Sequence, residues 1–268
     1  MRRSGRSALA VVAYLAGAGP VAAHDFWIEP SSFAPARGEA VRVRLRAGQS
    51  FVGDPVPRDN ETIDRFDIEG PAGRSPIEGA DGFDPAGFTR VAGEGSRVLA
   101  YESRGGFVTL PAETFERYLG DEGLEVILQR RARAGTNANA GRERFHRCAK
   151  AVIVAGAAST GIPAKSGLTL ELVPRRDPTR LHTGDSFPVA LLFRGRPLAG
   201  ALVKLLDKDA PGRVGAVRTD RHGEATLTLQ AEGAHLVKAV WMEAAPPGGE
   251  ADWESWWASL TFATKAAR

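Results

Sequence analysis

From Ala40 to Arg46 the chain alternates Val41, Val43 and Leu45 with Arg42, Arg44 and Arg46. This is the period-two pattern of a strand with one face buried and the other in water. Short apolar runs at 125–129, 145–154, 168–173, 187–193, 201–206, 225–229, 235–242 and 256–262 continue the series, punctuated by Gly, Pro and Asp. Strands of that length and spacing predict β-sandwiches. Helical patterning is confined to two short stretches, 114–118 and 130–134. Residues 54–106 are rich in Gly, Pro and acids and sparse in apolar side chains, and read as long loops.

The segment Gly156-Ala157-Ala158-Ser159-Thr160-Gly161-Ile162-Pro163 is poor in core residues, as linkers are. It divides the chain into an N-terminal sandwich over 24–158 and a C-terminal one over 165–268. In the latter, Gly195–Val203 is a turn feeding a strand, and Thr219-Asp220-Arg221-His222-Gly223 is a tight turn feeding Ala225-Thr226-Leu227. Gly233 then leads into Leu236-Val237-Lys238-Ala239-Val240. This order resembles transthyretin-like and carboxypeptidase-regulatory-type modules, which implies a fold and not a function. The expected fold class is all-β, two tandem immunoglobulin-like or transthyretin-like β-sandwich domains.

The chain's start changes the reading of its charge. Arg2, Arg3 and Arg6 precede a small, apolar stretch from Ala8 to Gly17, then Pro20 and Val21-Ala22-Ala23. That is the pattern of a cleaved secretory signal peptide over 1–23, too short for a permanent membrane span. Cleavage after Ala23 makes His24 the first residue and places the protein in the periplasm or outside the cell, with no stable membrane insertion. The full chain has 35 basic and 32 acidic residues, and the leader holds three of the arginines and no carboxylate. The exported chain is therefore neutral, without the basic stripe of a nucleic-acid-binding protein. The lone Cys148 excludes an intrachain disulfide and reads as a small buried hydrophobe.

Catalytic templates find no match. There is no G-x-S-x-G elbow, HExxH, CxxC or phosphate-binding glycine loop. An N-terminal His24, by contrast, would offer its α-amine and imidazole Nδ1 to one ion, since both can be deprotonated around neutral pH. Nitrogen donors suit copper, nickel, zinc and cobalt. Asp25 and Glu29 lie close by in sequence, while Phe26 and Trp27 read as core anchors. His146 shares strand parity with Cys148 and Lys150, and His235 with Val237, Ala239 and Trp241; both are further candidate ligands. His182 and His222 belong to turns. The cluster Trp253-Glu254-Ser255-Trp256-Trp257 admits two readings, a stacking platform for sugars or a core strand in which Trp256, Ala258, Leu260 and Phe262 face inward.

His24-Asp25-Phe26-Trp27-Ile28-Glu29-Pro30, Val41–Leu45, Gly53-Asp54-Pro55-Val56-Pro57-Arg58, Pro197–Ala201, Leu236–Val240 and Ala251–Ser255 together resemble domain-of-unknown-function family 4198. The resemblance spans nearly the whole exported chain. It implies a periplasmic, non-catalytic protein associated with nickel or cobalt uptake, with a metal ion and a membrane transporter as partners. It also implies Trp near position 235 and His at 241, where this chain has His235 and Trp241, roughly 20 Å apart along a strand. The candidate metal ligands are His24, Asp25, His146 and His235, for nickel, cobalt or copper. Two alternatives stand beside this reading: a copper enzyme built on an N-terminal histidine brace, and a carbohydrate- or partner-binding sandwich.

Overall fold

The computed structural model describes residues 24–156, 165–210 and 212–264. The leader and most of the linker at 156–163 lie outside the described residues. The first half contributes β1 (Asp25–Pro30), β2 (Ala40–Gln49), β3 (Val52–Val56), β4 (Ile63–Gly70), β5 (Gly73–Pro76) and β6 (Gly87–Arg90). It continues with β7 (Gly95–Ser103), β8 (Gly106–Leu110), α1 (Ala112–Asp121), α2 (Glu125–Arg133) and the long β9 (Gly141–Ala155). The second half adds β10 (Leu170–Pro174), β11 (Ser186–Phe193), β12 (Arg196–Pro197), β13 (Leu202–Asp207) and β14 (Val214–Arg218). β15 (Glu224–Thr228), β16 (Gly233–Ala244) and β17 (Trp253–Thr264) complete it.

The protein is an all-β sandwich whose two halves share one sheet. A nine-stranded sheet runs β14-β13-β16-β17-β9-β7-β4-β5, with β8 also on β9. Its seam is the parallel pairing of β17 with β9, Trp253 opposite Glu143 through Thr261 opposite Ala151. A small sheet centred on β2, with β1 on one edge and β3 and β6 on the other, lies on one face. A second small sheet, β10-β11-β12 with β15, covers the other. Strand parity sorts the side chains between these layers. Val98, Ala100, Cys148 and Val152 join the core under β10 and β11. Their neighbours Leu99, Tyr101, Ala149, Ala151 and Ile153 join the core under β1 and β2.

That three-layer order explains where alternation holds and where it fails. β2 has one wet face, and Val41, Val43 and Leu45 are buried while the outward arginines keep contact with water. β9 and β17 have none for most of their length, and read as continuous apolar runs. The same effect corrects the loop reading of residues 54–106. β7 is buried nearly throughout, and its core residues Val98–Tyr101 are too few to display a period. The strand reading of 125–129 is also corrected. These residues open α2, where Ile127 and Arg131, one turn apart, are buried and Val126 is 58 % exposed. Cys148 is buried, and burial together with Glu102 raises its thiol well above the usual range.

Candidate functional site

β1 passes over β9 and β17 as the edge strand of its sheet, which brings the first described residues against charges from three other elements. His24 is half-buried, and its carbonyl accepts a hydrogen bond from Arg147 Nη1 at 2.7 Å. Arg147 is buried, its guanidinium 4.8 Å from the Phe145 ring centroid and 5.0 Å from that of Trp257. Behind it, the buried Glu143 accepts from the Tyr118 hydroxyl at 3.1 Å and from the Ser255 hydroxyl. Burial pushes the Glu143 carboxyl up, against the pull of these donors and of Arg147.

Asp25 is buried and forms an ion pair with Lys238 Nζ, which also reaches Glu122 Oε1 at 2.8 Å just beyond the end of α1. Lys204 adds a contact to Glu122 at 3.5 Å and donates to the Asp121 carbonyl at 2.5 Å. Two carboxylates thus share the Lys238 ammonium. Burial alone would lower the Lys238 pKa, but the charges of Asp25 and Glu122 together hold it above its ordinary value. Burial, reinforced by Glu122, raises Asp25 even against Lys238. These groups line a cleft of about 270 Å³ whose rim includes Gln49 and Ser50. The rim is the β2–β3 turn, where Gln49 pairs with Val52 and both central residues are left-handed, Ser50 at φ 52° and Phe51 at φ 62°. The turn drives the Phe51 ring into the core, edge-on to Trp27 at 5.4 Å. A Cβ at Gly53 would lie 2.6 Å from the Trp27 ring, so glycine is what lets β3 close over it.

The other predicted ligands go elsewhere. His146 Nε2 sits 2.9 Å from Glu254 Oε1, and its ring stacks on Trp256 with centroids 5.5 Å apart. His235 is fully buried between Asp207 Oδ1 at 2.6 Å from Nδ1 and Thr264 Oγ1 at 3.1 Å from Nε2. The register puts His146 opposite Trp256 and His235 opposite Phe262, six positions and roughly 20 Å apart. His24 is held by Arg147, whose side chain leaves β9 on the face opposite to that of His146. The three histidines do not converge, and the Asp25 carboxylate is engaged by Lys238. Among the described residues no group of three or more His, Cys, Asp or Glu side chains is placed to hold a metal. Trp256 and Trp257 are 5 % and 4 % exposed, core residues rather than a platform.

A family model described as "Domain of unknown function (DUF4198)" matches residues 21–243, from just before β1 to within β16. The chain belongs to this family. A search of curated proteins finds no match. Among solved structures, the D0-D1 domain of Intimin aligns over 90 % of this chain and 98 % of its own at 15 % identity and a TM-score of 0.22. FdeC, an adhesin of Escherichia coli, aligns over 94 % and 67 % at 20 % identity and a TM-score of 0.24. No described helix is long and apolar enough to cross a membrane. Within this DUF4198 chain, sequence reading missed Arg147, Glu143, Glu122 and Lys238. Their signal was available: Lys238 stands inside Leu236–Val240 and Arg147 begins the buried part of β9, and a charge in a strand buried on both faces demands a partner.

Proposed function

We propose that the protein is a periplasmic accessory protein that binds a transition-metal ion as cargo, nickel or cobalt by the family resemblance, through an N-terminal His24. The supporting observation is the hydrogen bond from the buried Arg147 to the His24 carbonyl, which anchors the residue immediately before β1 while leaving it half-exposed. Cleavage after Ala23 would place an α-amine on this anchored residue, and amine and Nδ1 would close a chelate on one ion. Asp25 serves the site by position, since its carboxylate holds Lys238. His146 and His235 are outside the proposed ligand set. A two-nitrogen terminus leaves further coordination positions to water or to a receiving partner, which suits an ion in transit.

The test is to export the protein on its own leader, map its N-terminus by mass spectrometry, and titrate it with nickel, cobalt, copper and zinc. Binding by the His24-initiated form, lost in His24→Ala and in protein carrying an added start Met, is the expected result. A different mature terminus, or a His24-initiated protein that binds none of the four ions, would overturn the reading.

A further inference from the structure

The outward face of β2 carries Arg42, Arg44 and Arg46 in alternation. Alternate residues of a strand stand about 7 Å apart, so three guanidinium groups in a row repel one another. Their neighbours offset only part of this. Glu29 on β1 pairs with Arg46 at 2.8 Å and with Lys208 at 2.6 Å, and Asp84 lies 3.5 Å from Arg44 Nε. Arg42 has no carboxylate partner among the described residues. Four cations therefore share two carboxylates, in a protein whose exported chain is balanced overall.

The surplus is gathered into a concavity. A cleft of about 380 Å³ opens between the end of β1 and β2, lined by Ser31, Ser32, Arg42, Arg44 and Lys208 and by one carboxylate, Glu29, which is engaged by Lys208 and Arg46. Its donors are only partly spent, with Lys208 on Glu29 and Arg44 in a loose ion pair with Asp84. Arg44 Nε is buried and, 3.5 Å from Asp84, meets no acceptor in hydrogen-bond geometry among the described residues, although a buried donor of this kind is ordinarily satisfied. The Arg42 guanidinium donates no hydrogen bond within the described residues. Ser31 Oγ accepts from the Arg42 backbone at 3.1 Å and Ser32 Oγ from the Ala34 backbone at 3.1 Å. Both hydroxyls thus keep a hydrogen to give. Guanidinium forks, an ammonium and hydroxyls converging from several directions match a tetrahedral oxyanion.

We propose that this cleft binds a phosphate group, either free or carried on a lipid headgroup. The experiment titrates the full exported chain with inorganic phosphate by calorimetry. In parallel it measures co-sedimentation with vesicles of phosphatidylglycerol and of phosphatidylcholine. Binding to phosphate or to the phosphatidylglycerol vesicles is expected. It should weaken at least tenfold in Arg42→Gln, further in Arg42→Gln/Arg44→Gln, and with rising salt. Arg104→Gln, an exposed arginine elsewhere on the surface, should bind as the wild type. Phosphate binding without vesicle binding assigns a free anion, and vesicle binding without phosphate binding assigns the headgroup. Wild-type protein that binds neither, or arginine variants with wild-type circular dichroism and undiminished binding, would overturn the proposal.

Discussion

The central sheet buries ionisable groups on both faces, and the two sets are built differently. Toward β10 and β11, Lys150 Nζ lies 2.7 Å from Glu171 Oε1 and donates to the Leu172 carbonyl at 3.1 Å, with both side chains at most 2 % exposed. Glu171 also accepts from the backbone of Ser166 at 2.5 Å and of Gly167 at 3.0 Å, so it ties the start of the second half to the sheet. His235, on the same face, is closed off by Asp207 and Thr264. Burial pulls both Lys150 and His235 below their ordinary pKa, outweighing the carboxylate beside each. Toward β1 and α1, Lys238 serves two carboxylates, is held above its ordinary pKa, and borders a cleft. A closed one-to-one pair locks two layers together. The group beside His24, in which Lys238 and Lys204 share Asp25 and Glu122, instead borders a cleft within reach of water.

Removing a carboxylate from each side breaks the comparison most sharply. Glu171→Gln leaves Lys150 as an unpaired buried cation, and the loss of stability should be about 3–5 kcal/mol. Glu122→Gln leaves Asp25 on Lys238, and should cost about 1.5–3 kcal/mol, the value of one hydrogen bond to a charged group. Urea unfolding of the two variants at neutral pH reads the difference directly. Equal losses would mean that Lys238 depends on Glu122 as fully as Lys150 depends on Glu171.

What the sequence made legible follows the same division between wet and dry surfaces. β2 declares itself because its outward arginines stay in contact with water, and Trp256, Ala258, Leu260 and Phe262 all take the core positions their alternation predicts. β7 hides because both of its faces are dry. The second half of α2 shows in the helical pattern of 130–134, but its first turn hides because its apolar residues are consecutive and look like a strand. The β9–β17 seam is a pairing between residues about a hundred positions apart, and no local pattern encodes it. The candidate site was legible only at His24 and Asp25. Its charged partners come from the residue after α1 and from β9 and β16, and which carboxylate meets which cation is set by packing.

His235 sharpens the comparison by its pH dependence. Its folded pKa is lowered from the ordinary value of 6.5 by burial, with Asp207 and Asp209 acting in the opposite direction. A group lowered on folding binds fewer protons in the native state, so its contribution is full above about pH 6.5 and is lost as pH falls toward the folded value. The wild type should therefore lose up to about 1 kcal/mol more than His235→Gln between pH 7.5 and 5.5, measured by urea unfolding at each pH. Parallel slopes for the two proteins would show that the closed side does not titrate in this range.

The smallest effect lies at the rim of the open side. Ser50 and Phe51 both adopt positive φ, as a two-residue hairpin turn matched to strand twist requires, yet neither is Gly or Asn. At Phe51 the strain accompanies burial of the ring against Trp27, so replacing it would lose more than it relieves. Ser50 is exposed, and among the described residues its side chain makes no hydrogen bond. Left-handed backbone costs an L-residue about 1–2 kcal/mol, while glycine's extra freedom in the unfolded chain costs about 0.5–1 kcal/mol. Ser50→Gly should thus stabilise the protein by about 0.5 kcal/mol, visible as a small rise in the urea midpoint with an unchanged slope. Because the substitution leaves Asp25, Lys238 and Glu122 untouched, it should not alter metal titration of the His24-initiated form. A gain in stability accompanied by a loss of binding would show that the strained turn itself shapes the cleft, and that the open side is held open by its rim as well as by its charges.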